Sequence, residues 1–361
     1  MYLSSPADCA LGRGVQPMQP EKKVSIKDVA SLAGVSVSTV SRVLNNGTYV
    51  APDKREQIMK AIEELNYRPN YFAKGLKAGS SELIALIVPN INNPVYALIA
   101  QGVETVARAA GYTVVLCNTG DDLEVEMTQI EQLKSRNVDG FIFASATTGS
   151  HHIRNLIAEG MPVVEVMRSS NDANAVTVDN FRIGYSATEH LLERGHRKIF
   201  ILTGDQKIGS YRIRTNGYRQ AMIDYGVPVC ESSLLFANNE NIEAQSLCLE
   251  QAIAENGLPD AVFCVNWLRA IAAYRTAKHL GLKIPEDFSV ISVDDLEFTE
   301  YLNPALTTIS QPFCEMGKRS AEMLIGMLGN KDKQAGDETL TQIIMPTKLI
   351  VRSSVLDKNR A

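Results

Sequence analysis

Between residues 24 and 68 the hydrophobic positions repeat with the spacing of an α-helix and are interrupted twice. Ser25 and Ser36 can cap the first two helices, and Gly34 ends the first of them. The second helix runs from Val37 to about Leu44, and a third has a proline in its first turn. The inward faces of the three predicted helices consist of Ile26, Val29, Ala30, Ala33, Val40, Val43, Leu44, Ile58, Ala61, Ile62 and Leu65.

The first two helices have the composition of a helix-turn-helix. Small residues at Ala30 and Gly34 allow them to meet closely at a steep angle, and in this motif the second helix enters the major groove of DNA. The outward face of that helix carries Val37, Ser38, Ser41 and Arg42. Arg42 has the reach for a bidentate contact with guanine. Candidate phosphate contacts are Ser25, Thr39 and Asn45. Periodicity alone equally allows a helical hairpin whose outer face is solvated.

Residues 82–353 alternate short β-rich runs with longer amphipathic segments. The β-rich runs span residues 83–88, 113–117, 140–144, 162–166, 198–202, 261–265 and 288–292. The amphipathic segments include residues 95–110, 124–135, 182–194, 212–225 and 268–280. This alternation is typical of an α/β fold with parallel sheets covered by helices on both faces, and the stretch is long enough for two lobes. Because ligands of such sheets bind beyond the carboxyl ends of the strands, we expect a site in a cleft between the lobes.

Composition and cysteine usage narrow the class of protein. Of the 361 residues, 45% are hydrophobic and 21% are charged, which is typical of a folded soluble protein. No apolar run has the length of a membrane span. The six cysteines are scattered without a C-x-x-C pair, which argues against a zinc ribbon or a disulfide scaffold and favours a reducing cytosol. We therefore predict a cytoplasmic protein without a metal site.

Charge is divided unevenly along the chain. Residues 21–80 contain ten Lys and Arg and six Asp and Glu, whereas residues 81–361 contain 25 and 34. A basic head on an acidic body suggests that the head meets a polyanion. Residues 1–23 carry no secretory signal and are expected to be a disordered tail, with Met18 as an alternative translation start.

Two segments of the head closely resemble the DNA-binding head of the lactose/galactose repressor family of bacterial transcriptional regulators. They read IKDVASLAGVSVSTVSRVLNN and APDKREQIMKAIEELNYRPN, and the similarity continues through Asn70. The resemblance implies that Val37, Ser38 and Arg42 read bases. It also implies a pseudo-palindromic operator of double-stranded DNA that is bound by a homodimer. One departure is Ala51, where the family often has a Ser or Thr cap before the proline.

Residues 71–81, YFAKGLKAGSS, have the composition of a linker. The resemblance implies instead a hinge helix that forms on DNA and inserts a leucine into a minor-groove step, and Leu76 is the matching residue. Gly75 stands where the family often has Ser, which would make this helix more dependent on DNA for folding.

Residues 82–353 resemble the effector-binding core that the family shares with periplasmic sugar-binding proteins. The markers include IVPNINNPVY, NVDGFIFA, GLKIPEDFSVISVDD and LNPALTTISQP. The resemblance implies that the chain crosses between two lobes near residues 177–180, 308–311 and 341–346. The expected layout is a disordered tail (1–23), a helix-turn-helix domain (24–70), a hinge (71–81) and an effector-binding and dimerisation domain (82–356).

Carried over residue by residue, the resemblance implies a polar effector site with an apolar-aromatic element. The matching residues are Asn93, Val95, Tyr96, Ser210, Arg214, Asn266 and Asp294. Asn266 and Asp294 each follow a predicted strand, and their planar groups suit adjacent sugar hydroxyls. Val95 and Tyr96 could equally be core residues, and Arg214 could form a surface ion pair.

Two departures affect the expected ligand. Met167 stands where the family usually has Asp, and Glu165, two residues earlier, is the expected substitute acceptor. Trp267 stands where the family usually has a polar residue, so its ring either stacks on a pyranose or packs near the lobe surface.

These features together predict a DNA-binding repressor whose operator affinity is controlled by a sugar or sugar derivative. Arg214, with Arg212 nearby, would also admit a sugar acid or phosphate. Two alternatives stay open, namely a corepressor-dependent repressor and a global regulator that docks a phosphorylated partner protein. Because the chain shows no phosphate loop and no motif for a catalytic nucleophile, neither catalysis nor a cofactor is predicted.

Overall fold

A computed structural model describes residues 24–44, 49–68, 80–145, 150–170, 172–238, 241–329 and 340–360. The chain forms two compact units, which we call the head and the core. The described residues up to 68 belong to the head, and those from 80 onward belong to the core.

The head consists of three helices, as the periodicity predicts: α1 (Ile26–Leu32), α2 (Val37–Leu44) and α3 (Pro52–Glu64). Val29, Val40 and Ile58, one from each helix, are fully buried at its centre. At the start of α1 the Asp28 carboxylate accepts hydrogen bonds from the backbone N–H and the hydroxyl of Ser25. This places a negative charge at the positive end of the helix dipole.

The core contains two six-stranded sheets. The strands of the first sheet are β1 (Leu83–Val88), β2 (Thr113–Asn118), β3 (Gly140–Phe143), β4 (Val163–Val166), β5 (Asn174–Val178) and β11 (Gln342–Met345). Their order is β11-β5-β4-β3-β1-β2, and all pairings are parallel. Helices α4 (Pro94–Ala109) and α11 (Phe313–Gly329) pack together on one face. Helices α5 (Leu123–Ser135) and α6 (His151–Ala158) cover the other face, and we call this assembly the N-lobe.

The second sheet, with its helices, forms the C-lobe. Its strands are β6 (Ile199–Thr203), β7 (Leu234–Phe236), β8 (Ala261–Cys264), β9 (Ser289–Val293), β10 (Thr307–Ser310) and β12 (Lys348–Ile350). Their order is β12-β10-β9-β8-β6-β7, and only β12 is antiparallel to its neighbour. Helices α7 (Asn180–Glu193) and α8 (Gly209–Asp224) pack together on one face, whereas α9 (Ile242–Asn256) and α10 (Trp267–Leu280) cover the other.

Among the described residues the chain passes between the lobes at three points. It leaves β5 for α7 at residue 179, leaves β10 for α11 at residues 311–312, and leaves β11 for β12 at residues 346–347. These positions confirm the three predicted crossings. The predicted strands also form, but the β-rich runs did not include β5, β7, β10, β11 or β12.

The part of the chain that the structure describes contains no helix that is both long and apolar enough to cross a membrane. Within the same ranges, no group of three or more His, Cys, Asp or Glu side chains is arranged to hold a metal ion.

Candidate DNA-binding helix and effector cleft

Helix α2 presents a polar outer face while its apolar residues are buried in the head. Val37, Ser38 and Arg42 are exposed, whereas Val40 and Val43 are buried. The exposed side chains are therefore available to contact base edges, as the helix-turn-helix prediction requires.

A cluster of hydroxyls fixes the first turn of α2. The Ser36 hydroxyl lies 2.8 Å from the hydroxyls of both Ser38 and Thr39, and it accepts a hydrogen bond from the Thr39 N–H at 3.2 Å. Ser36 is thus the predicted cap. Ser41 is half-buried on the same helix. Two predicted DNA contacts, Asn45 and Leu76, lie outside the described residues.

Six of the predicted effector contacts meet in a cleft between the lobes. The cleft is lined by Pro89, Asn90, Asn93, Tyr96, Asp121, Met167, Arg168, Ile208, Ser210, Tyr211, Arg214, Asn266 and Asp294. Asn93 and Tyr96 come from the start of α4, after the end of β1, while Ser210 and Arg214 come from the first turns of α8. Parallel strands bring their carboxyl ends to one edge of a sheet, and the two edges face each other here.

Asp294 is held at the end of β9 with its carboxylate buried. Its φ of 77° is in the left-handed region that non-glycine residues rarely adopt. Gln311, at a lobe crossing, donates to one carboxylate oxygen at 2.6 Å, and the backbone N–H of Trp267 donates to the other at 3.4 Å. Burial raises the pKa of Asp294, while the nearby Arg214 charge opposes that rise. A strained, buried acceptor of this kind is typical of a ligand site.

Arg214 and Asn266 are positioned by hydrogen bonds within the C-lobe. The Arg214 side chain, only 2% exposed as a residue, donates to Asn180 Oδ1 at 2.9 Å and to the Val265 carbonyl at 2.6 Å. Burial lowers the pKa of Arg214, and the carboxylate of Asp294 counteracts this effect. Asn266 caps α10 through its oxygen and donates to the Tyr211 hydroxyl at 3.0 Å. The donors and acceptors are therefore held in fixed directions beside the cleft.

Two family models match the chain. Residues 25–70 match the model described as bacterial regulatory proteins, lacI family. Residues 81–352, well over half of the chain, match the model of periplasmic binding proteins and the sugar binding domain of the LacI family. The chain belongs to the LacI family.

Relatives of this LacI-family protein match along almost its whole length. It is 34% identical over 339 residues to the HTH-type transcriptional repressor PurR of Vibrio campbellii. The aligned residues cover 93% of this chain and 99% of the relative. The Lac repressor dimer bound to operator and the anti-inducer ONPF has a TM-score of 0.82 at 27% identity, covering 93% of this chain and 100% of that one. The complex of the regulator CelR with cellobiose has a TM-score of 0.69 at 28% identity, covering 92% and 99%. The protein is a transcriptional regulator with a helix-turn-helix head and an effector-binding type of core.

Two predicted effector contacts lie outside the cleft of this LacI-family protein. Val95 is fully buried in the core, where its side chain packs among strand residues instead of facing a ligand. Glu165 is also fully buried, and its carboxylate accepts hydrogen bonds from the N–H and the hydroxyl of Ser170. The prediction assumed that residues 165 and 167 share one face of the strand. That assumption fails because Met167 has a φ of 68° and leaves the strand. Burial raises the pKa of Glu165.

Trp267 lies at the edge of the cleft and bridges the lobes. Its indole N–H donates to Asn93 Oδ1 at 3.1 Å, and its ring packs edge-on against Phe298 with 5.4 Å between ring centroids. The contact with Phe298 agrees with the packing alternative, while stacking of the Trp267 ring on a pyranose stays a prediction. Asn93 Oδ1 also accepts from the Val95 N–H, so one oxygen caps α4 and joins the lobes.

Sequence reasoning missed Arg168 and Asp121, which contribute opposite charges to the N-lobe side of the cleft. Arg168 donates to both carboxylate oxygens of Asp121, at 2.7 and 3.4 Å. Asp121, Met167 and Asp294 all have positive φ values. Three non-glycine residues with left-handed backbone conformations around one cleft are a structural sign of a functional site. The sequence pattern gives no indication of these conformations.

Proposed function

We propose that this protein represses transcription by binding a pseudo-palindromic operator as a homodimer, and that a small carbohydrate-type effector held between its lobes controls operator affinity. The observation that carries the proposal is the convergence of Asn93 and Tyr96 from the N-lobe with Arg214, Asn266 and Asp294 from the C-lobe. An effector that contacts both lobes binds their closed arrangement more tightly than an open one. It therefore shifts the population between the two arrangements.

The polar groups of the cleft fit a polyhydroxyl ligand. Asp294 and Asn266 offer acceptors, and Arg214 offers guanidinium donors, all in directions fixed by their hydrogen bonds. Tyr96 and Tyr211 supply ring surface for the apolar side of a sugar. The binding of cellobiose by CelR, a relative with the same fold, supports a carbohydrate-type effector.

DNA recognition is assigned to α2 in the head. We propose that Arg42 makes a bidentate contact with guanine, that Val37, Ser38 and Ser41 contact other base edges, and that hydroxyls such as those of Ser25 and Thr39 contact phosphates. A two-fold operator then requires two heads, which is the reason for a dimer. None of these roles requires catalysis, and we expect no enzymatic activity.

The experiment measures operator binding of the purified full chain with and without a panel of carbohydrates. The operator is first located by footprinting the promoter regions near its own gene. Asp294→Asn should leave operator affinity unchanged and abolish the effector response, because the negative charge and one of the two acceptor oxygens of the buried carboxylate are lost. Glu286→Gln removes an exposed carboxylate from the same lobe and should behave as wild type.

The sign of the response separates the possible modes of regulation. Release from the operator on effector binding identifies an inducer, and tighter operator binding identifies a corepressor. A normal effector response in Asp294→Asn would contradict the assignment of the cleft. Failure to bind any DNA site at low salt would contradict the function as a whole.

A further inference from the structure

A second cavity of about 370 Å³ opens beside the effector cleft, on the side of the β5 and β11 edge of the N-lobe. The two cavities share Met167, Arg168 and Ser210. The volume falls within the range of about 300–1,000 Å³ that is usual for small-ligand pockets. An effector in the cleft can therefore extend past Ser210 into this space, which we call the outer cavity.

The lobes are in direct contact at another point, where the indole N–H of Trp267 in the C-lobe donates to Asn93 Oδ1 in the N-lobe. The outer cavity shares three lining residues with the cleft, so an effector longer than the cleft can extend into it.

Two guanidinium groups from different lobes line the outer cavity. Arg168, with a side chain only 9% exposed, is oriented by its two hydrogen bonds to Asp121 and lies close to the tyrosines of the cleft. Arg212 belongs to the first turn of α8 and donates to the Gln206 carbonyl at 3.0 Å. Its Nη2 atom lies 4.0 Å from the point that a Cβ on Gly209 would occupy, so its guanidinium folds over the start of α8.

Other features of the outer cavity also favour an anionic group. The residue before α8 is Ile208, whose side chain offers no acceptor to the first N–H groups of the helix. One carboxylate, Asp179, also lines the cavity, but it accepts a hydrogen bond from the Arg182 N–H as the cap of α7. Phe181 and Ile344 add exposed apolar surface for the carbon skeleton of a ligand.

We propose that the effector carries a carboxylate or phosphate group, and that Arg168 and Arg212 bind this group in the outer cavity while the cleft binds the sugar hydroxyls. The inference rests on the proposed function and names the chemical class of its effector. Planar guanidinium forks pair with carboxylate and phosphate oxygens in a geometry that neutral hydroxyls do not reproduce. Because Arg168 comes from the N-lobe and Arg212 from the C-lobe, the anion would join the two lobes.

The test compares anionic and neutral members of matched pairs on the purified full chain. Glucose, galactose and mannose are titrated by calorimetry beside their uronic acids and 6-phosphates, with inorganic phosphate as a further probe, all at one ionic strength. We expect at least one acid or phosphate to bind about tenfold or more tightly than its neutral parent, because hydrogen bonds to charged groups are the stronger class.

Variants then assign the preference to the two arginines. Arg168→Gln and Arg212→Gln should each reduce affinity for the anionic probe about tenfold and leave affinity for the neutral parent unchanged. Arg182→Gln removes an exposed guanidinium just outside the cavity and is the matched control. Should Arg168→Gln unfold, Arg212→Gln alone decides, because Arg212 is only half-buried. A purely structural ion pair at Arg168 would alter thermal stability without altering the ratio of the two affinities.

Neutral parents that bind as tightly as every anionic partner would overturn the inference, and so would an unchanged affinity ratio in both variants. Operator binding measured in parallel keeps this result distinct from the proposed function. If a neutral sugar binds at least as tightly as its anionic partners and alters operator affinity, the proposed function stands and the anionic class is wrong. If an anion binds through both arginines but no probe alters operator affinity, the anion site stands and the proposed control of operator binding is wrong.

Discussion

Replacing Gly184 with alanine should displace the helix that carries two of the proposed effector contacts. Gly184 lies on α7 where it meets α8, and a Cβ there would come 2.0 Å from the Arg214 carbonyl oxygen and 2.7 Å from its carbonyl carbon. Favourable contacts between heavy atoms have separations of about 3.5–4.0 Å, so the helices must separate by more than about 1 Å. Both atoms belong to the backbone, so no side-chain rotation relieves the contact.

The expected loss of stability follows from two opposing effects. Overpacking of a close contact costs about 1–3 kcal/mol. The better helix propensity of alanine offsets about 0.5–1 kcal/mol of this. We therefore expect a net decrease of about 0.5–2 kcal/mol in the free energy of unfolding. Movement of α8 also misaligns the hydrogen bonds of Arg214 to Asn180 and Val265, so effector affinity should fall as well.

Urea unfolding and effector titration measure the two effects separately. Gly326→Ala is the matched control, because Gly326 lies within α11 and a Cβ there meets no heavy atom within 4 Å. That variant should gain about 0.5–1 kcal/mol and bind effector normally. If Gly184→Ala is as stable as Gly326→Ala and binds effector equally well, the close approach of α7 and α8 does not position Arg214.

Three further predictions concern the head, the lobe bridge and acid stability. Arg42→Ala should reduce the difference in binding free energy between operators that differ at one base pair by about 1–3 kcal/mol, measured with operator variants. An equal loss of affinity for all operator sequences would mean that Arg42 contacts a phosphate instead. A double-mutant cycle of Trp267→Phe and Asn93→Ala, measured by urea unfolding, should give a coupling of about 0.5–1.5 kcal/mol in the free energy of unfolding. Zero coupling would mean that the hydrogen bond between these residues does not stabilise the contact of the lobes. Burial and a neighbouring guanidinium lower the pKa of His190 to about 4. Because the unfolded value is about 6.5, stability is complete above that pH and falls by up to about 3 kcal/mol as pH drops towards 4. In His190→Gln the free energy of unfolding should fall less steeply between about pH 6.5 and 4. An unchanged slope would mean that another titrating group causes the loss of stability.

The sequence by itself determined the helices of the head and most interior strands of both sheets, although it missed β5 and β10. Strands β1, β3, β4, β6, β8 and β9 read as short apolar runs because parallel strands in the middle of a sheet are buried on both faces. The family resemblance implied that Asn266 and Asp294 contact the effector. Their place at the cleft agrees with their sequence context, because each comes at or just after the end of such a strand and strand ends of this kind meet at one edge.

Only the tertiary structure decided which neighbouring side chains reach the cleft. Several strands that the runs missed, such as β11 and β12, are short and partly exposed at sheet edges, so they lack an apolar signal. Val95 and Tyr96 are adjacent in sequence, yet only Tyr96 lines the cleft, because the helix start turns the two side chains in different directions. Met167 ends the strand alternation through its positive φ, so Met167 and Arg168 line the cleft while Glu165, within β4, is buried in the core. The spacing of residues predicts side-chain direction only where the backbone repeats regularly, within a strand or a helix. At strand ends and helix starts the side-chain direction depends on backbone dihedral angles that tertiary packing imposes.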